Sequence, residues 1–100
     1  MNNKANAPRI VFTTERDRSN TAQHGHSLAL ANDIDWASAW ARPGQYETRA
    51  SAMLPDGTVV VVSYRDTHDA QPVRRVNLLR DATADERARF LARRNHPTRG

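Results

Sequence analysis

An α+β fold is predicted for this chain: a small antiparallel sheet of three to four strands with two helices packed on one face, in the order β-α-β-β-β-α. Three patterns carry that prediction. Two strand-like segments, Tyr46 to Leu54 and Thr58 to Tyr64, flank Pro55-Asp56-Gly57, a turn in which proline presets φ and glycine takes a positive one. Thr83-Ala84-Asp85-Glu86 has the spacing of a helix capping box. Arg9 to Thr14 is β-branched and aromatic, the composition of a strand.

In chain order, Met1 to Pro8 is polar and reads as a flexible tail. Arg9 to Thr14 is the first strand. Glu15 to Gly25 has no apolar periodicity and reads as a long loop. Ser27 to Arg42 is the first helix candidate, because Leu30, Ile34, Ala37 and Ala41 fall on one helical stripe. An alternative has Leu28 and Leu30 alternating in a short strand, with Asp33 or Asp35 capping a shorter helix. Arg42-Pro43-Gly44 ends either version. In the first hairpin strand Glu47, Arg49 and Ser51 share one face and Thr48, Ala50 and Ala52 the other. Val59 to Val62 is apolar on both faces, the mark of a central strand.

Asp66 to Pro72 is a polar connection, and Val73 to Leu79 resumes strand character with Val73, Val76 and Leu78 inward. Thr83 then caps a helix running to about Arg94, with Ala84, Ala88, Leu91 and Ala92 as its buried stripe. Asp85 and Glu86 in its first turn and Arg93 and Arg94 in its last match the helix dipole. Asn95 and Pro97 stop it, and residues 96–100 form a second tail. Residues 1–100 thus read as a single domain.

Composition narrows the function classes. Apolar residues make up 38% of 100 residues and many are alanine, so the core is thin and a homodimer or a bound complex is a natural way to complete it. There is no cysteine, which excludes disulfides, thiolate metal sites and cysteine catalysis. No apolar run is long enough to span a bilayer and Met1 to Arg9 has no signal-peptide core, so a cytoplasmic, membrane-free protein is expected. The net charge is +4. Lys4 is the lone lysine, so the other basic residues are arginines, whose planar forks suit phosphates, carboxylates and aromatic rings. No glycine-rich phosphate loop and no nucleophile-elbow serine occurs. No cofactor and no catalytic residue is therefore assigned.

Four constellations remain. His24-Gly25-His26 points two imidazoles to one side if extended. Asp66, His68 and Asp69, with His96, could complete a divalent site, so His24, His26 and His68 are the metal candidates against a reading as solvated loop histidines. Arginines cluster in the last third: Arg75 on a strand, Arg80 after it, and Arg89 and Arg93 as i, i+4 neighbours on the outer face of the last helix. With Glu47 and Arg49 on the exposed side of the hairpin, these are the candidate binding residues. Trp36 and Trp40 serve either as core or as exposed interface anchors.

The size, charge and element order of the chain are similar to those of small basic ribonuclease toxins of the RelE/ParE type. No motif around the last strand accompanies that resemblance, and the helical hairpin of those toxins would have to lie within Glu15 to Arg42, where one helix is read. Independently of it, a histidine and arginine set is what cleavage of RNA would use, with arginine holding the phosphate. The reading preferred on the residues is different: a non-enzymatic basic module that docks onto a protein or nucleoprotein and modulates it, as accessory and inhibitor proteins of phages and mobile elements do. Nucleic-acid binding, or a small ribonuclease of the toxin type, is the alternative.

Overall fold

The computed structural model describes residues 7–68 and 70–95. It is a mixed α+β fold with β1 (Ile10–Val11), α1 (Thr14–His24), β2 (Trp40–Pro43), β3 (Thr48–Met53), β4 (Val59–Asp66), β5 (Arg74–Asp81) and α2 (Ala84–Asn95). The sheet has five strands in the order β1-β5-β4-β3-β2, not three to four. β2 to β5 form an antiparallel meander, and β1 joins the edge of β5 in parallel.

The hairpin forms as expected. Gly57, at φ +91°, closes the turn by donating from its N–H to Leu54 O at 2.9 Å. β4 is the middle strand, with Val59 to Val62 buried on both faces. Its pairing with β3 sets Ala50 opposite Val62 and Ser51 opposite Val61, the expected division of faces. One face holds the main core: Leu28, Ala31, Ile34, Ala50, Ala52, Val60, Val62, Tyr64, Val76 and Leu79.

Glu15 to Gly25 proves to be most of a helix rather than a loop. Thr13 caps α1 by accepting from Arg16 N–H at 3.1 Å, Glu15 and Asp17 sit in its first turn, and Gly25 ends it in the left-handed conformation. Its single fully buried residue is polar. Asn20 accepts from Leu79 N–H at 3.1 Å and donates to Leu79 O at 2.8 Å, filling the edge of β5 beyond the short β1 as a strand would. Asp17 then accepts from Ser27 Oγ and Leu28 N–H at 2.8 and 2.7 Å, fixing the chain that follows. A helix anchored through hydrogen bonds has no apolar stripe to reveal it.

Ser27 to Arg42 is not a helix of the predicted kind. It forms two 3₁₀ turns, Leu28–Asp33 and Trp36–Ser38, and then β2. Leu28, Ala31 and Ile34 are the buried positions, spaced by three as 3₁₀ geometry requires. The predicted stripe, drawn at α-helical spacing through Leu30, Ile34, Ala37 and Ala41, shares only Ile34 with this set. The first strand is also shorter than Arg9 to Thr14, because Thr13 and Thr14 begin α1.

β5 carries a bulge. Ser63 pairs with Leu78 and Tyr64 with Val76, leaving Asn77 as an extra residue. Leu79, not Leu78, therefore joins Val76 in the main core. The capping box of α2 forms reciprocally: Thr83 Oγ1 accepts from Glu86 N–H at 3.1 Å, and Glu86 Oε1 accepts from Thr83 N–H at 2.8 Å. The stripe of α2 differs from the prediction: Phe90 is 1% exposed, whereas Ala84, Ala88 and Ala92 are exposed.

The two helices do not share a face. α1 lies with the 3₁₀ turns and β5 on the core side, while α2 crosses over β3 on the other. There Arg94 reaches Met53 Sδ at 3.0 Å and Arg93 lies over Trp40. Among the described residues no helix is long and apolar enough to cross a membrane.

Candidate nucleic-acid interface

The sheet face opposite the main core is lined with arginine, and strand register explains why. Arg42 pairs with Arg49, Arg49 with Ser63, and Ser63 with Leu78, so these side chains form one row across the sheet. Trp40, Ser51, Val61 and Arg80 form a second row by the same logic. Arg65 and Arg75 pair directly, beyond the bulge, and form a third. α2 covers only one end of this face. Arg49, Arg65, Arg75 and Glu47 remain exposed at the other end.

Local bonds hold the site. Arg49 Nε donates to Ser63 Oγ at 3.3 Å, and Arg42 Nη2 donates to Ser51 Oγ at 3.2 Å. The two serines are buried and serve as neutral seats for charged side chains, so neither guanidinium is neutralised. Glu47 stands at the entry to β3 and accepts from the bulge residue, Asn77 Nδ2, at 3.2 Å. Gly44 N–H donates to Glu47 O at 2.9 Å, closing the turn that delivers Glu47. Among the described residues, Arg42, Arg49, Arg65 and Arg75 make no ion pair. A carboxylate held by an amide, beside several free guanidinium groups on one open surface, can accept a proton next to a bound phosphate.

Of the expected binding residues, Glu47, Arg49, Arg75 and Arg80 come together on this face. Arg80 is already occupied, in a bidentate pair with Glu86 at 2.8 and 3.0 Å. That pair, aided by the Thr83 N–H, holds the Glu86 carboxyl down at about 2. Arg93 reaches the rim of the face through Trp40. Arg89 is elsewhere, exposed on α2 and paired with Asp85 at 3.0 Å. Arg42 and Arg65 were not singled out from sequence. Their signal was strand parity with Arg49, which counting along one face of each strand exposes.

The histidine loops do not meet. His26 Nε2 lies 2.9 Å from Asp81 Oδ1 at the end of β5. His68 follows Asp66 at the opposite end of the same hairpin, an eight-residue strand away, or roughly 23 Å. Among the described residues no group of three potential ligands could hold a metal ion. Asp69, His96 and Arg99 lie outside the described residues.

The core side presents a groove of about 720 Å³ lined by Asp33, Asp35, Trp36 and Arg74 among others. Arg74 is not available there. It binds Asp66 bidentately at 2.7 and 2.9 Å and lies 4.6 Å from the Trp36 and 4.2 Å from the Tyr64 ring centroid. Burial works against its charge, but Asp66 and Tyr64 more than offset this and raise its pKa. Trp36 is thus a packing residue, its indole N–H donating to Ala31 O at 3.0 Å.

Neither a family model nor a curated protein matches the chain. Among solved structures, the same α+β architecture occurs in a bacterial ribonuclease toxin. That structure is the Brucella abortus ribonuclease toxin BrnT, matched with a TM-score of 0.62 at 18% identity over 77% of this chain and 99% of that one. At this identity the likeness shows the fold. It overturns the expectation of a non-enzymatic, inhibitor-like module, which rested on the absence of catalytic spacing along the sequence. The fold gathers polar residues from four strands that no linear motif connects.

Proposed function

We propose that this protein is a metal-independent ribonuclease of the toxin type, acting on RNA laid across the arginine-lined sheet face. The observation that carries this is Glu47, steadied by Asn77, on the open end of a face where Arg42, Arg49, Arg65 and Arg75 make no ion pair among the described residues. The likeness of the fold to a ribonuclease toxin supports it.

The chemistry follows from the side chains. Arg49, Arg65 and Arg75 bind the non-bridging oxygens of a phosphodiester and offset the charge that builds on a five-coordinate phosphorus. Glu47 takes the proton of the neighbouring 2′-hydroxyl as its oxygen attacks phosphorus. The bond to the 5′-oxygen breaks, that oxygen takes a proton from water, and a 2′,3′-cyclic phosphate remains. The 2′-hydroxyl requirement makes RNA the substrate and DNA inert.

The test is cleavage of a labelled single-stranded RNA by the purified chain in excess chelator. Glu47→Gln and Arg75→Ala should each slow cleavage about 100-fold or more, with thermal melting within a few degrees of the wild type. Intact RNA after incubation with the wild-type chain, or undiminished cleavage by Glu47→Gln, would refute the assignment.

A further inference from the structure

Two tryptophans each carry arginine, and the difference between them is informative. At Trp36 the arginine is Arg74, locked by Asp66. At Trp40 there are two guanidinium groups, Arg42 at 4.4 Å and Arg93 at 4.8 Å from the ring centroid. Neither belongs to an ion pair among the described residues. Arg42 is steered by donating to Trp40 O and Ser51 Oγ, both at 3.2 Å. Arg93 comes from α2 and is exposed. Two positive charges on one indole repel each other, and among the described residues no carboxylate pairs with either. The arrangement suits an anion, and an aromatic one also matches the flat indole.

Trp40 faces the same side of the sheet as Arg49, through its pairing with Ser51. Ser51 is four residues from Glu47 along the chain, roughly 13 Å. We infer that Trp40, Arg42 and Arg93 form a base-stacking subsite that receives an unpaired nucleotide next to the one whose phosphate is cleaved. The inference rests on the ribonuclease reading and adds that the substrate is single-stranded where it crosses β2. A base displaces one guanidinium from the indole and stacks on the face it vacates, and the two arginines hold the flanking phosphate. Stacking is tolerant of base identity, so the subsite selects for strandedness rather than sequence.

Tryptophan emission reads this directly. A 2′-O-methyl RNA oligonucleotide, which cannot be cleaved by 2′-hydroxyl attack, is titrated into the wild type, and polyphosphate of similar length serves as a ligand without bases. The oligonucleotide should quench emission strongly and polyphosphate weakly. Trp40→Leu should lose the quench and bind the oligonucleotide about 10-fold more weakly, with polyphosphate affinity unchanged. Trp40→Phe should restore most of the affinity. Equal quenching by both ligands, or oligonucleotide affinity unaltered in Trp40→Leu, would overturn the subsite while leaving the sheet-face reading intact. An oligonucleotide that binds the wild type at no concentration would remove both.

Discussion

The Thr83 box was legible because every atom in it lies within four residues of sequence. Its second partner was not. Arg80 comes back from the end of β5 to take both oxygens of Glu86, and that geometry exists only once strand and helix are joined by a tight corner. A consequence follows for acid stability. The Glu86 carboxyl is lowered from 4.5 to about 2, so the folded state binds this proton less readily than the unfolded chain. The stabilisation is complete above about pH 4.5 and disappears as pH falls through about 2. Melting temperature should therefore decline across that interval, and Glu86→Gln should flatten the decline while lowering stability near neutrality. An acid limb of the same steepness in both proteins would contradict this account. Asn20 is the opposite case: two strong bonds to Leu79, and no local pattern to announce them.

At the level of elements, legibility followed apolar spacing. The hairpin has alternation on β3, apolar residues on both faces of β4 and a turn that needs glycine, and all of this is local. α1 and the 3₁₀ turns lack such cues: one is held by polar groups, the other repeats every three residues instead of every 3.6. The β2–β3 turn is another feature read only in part, since Pro43-Gly44 marks a stop without saying what it delivers. A Cβ on Gly44 would lie 2.7 Å from Glu47 O, so Gly44→Ala must push the turn open at the residue proposed to accept the proton. The strain should cost about 1–3 kcal/mol. Cleavage should fall at least about 10-fold, since small misplacements of a reacting group are costly. Denaturant melts and single-turnover rates on the same preparation would separate the two effects, and an unimpaired rate would detach this turn from the chemistry.

Taken whole, the molecule is two-sided. One face of the sheet is closed by α1, the 3₁₀ turns and the main core; the other is closed only at the α2 end and is otherwise polar and cationic. The mean composition, with its net charge of +4, conceals this because Arg74 and Arg80 are internally paired whereas, among the described residues, Arg42, Arg49, Arg65 and Arg75 are not. A single-stranded nucleic acid engaging those four should show a log–log salt dependence of about −3. A slope near zero would mean that phosphate contacts do not dominate binding. Which helix covers which face could not be read from periodicity, since the predicted stripe of α2 was Ala84, Ala88, Leu91 and Ala92 and its anchor is Phe90.

The extra residue in β5 has an effect out of proportion to its size. Side chains on a strand alternate, so Arg75 and Arg80, five positions apart, ought to look in opposite directions. The irregularity at Asn77 resets the count and turns both toward the same side. Excising that one position would leave the two arginines four apart, where strict alternation alone keeps both on the open side, and would take away the amide that holds Glu47. Deletion of Asn77 is therefore expected to slow RNA cleavage about as much as Asn77→Ala does, because either change leaves Arg75 facing outward and removes the amide bound to Glu47.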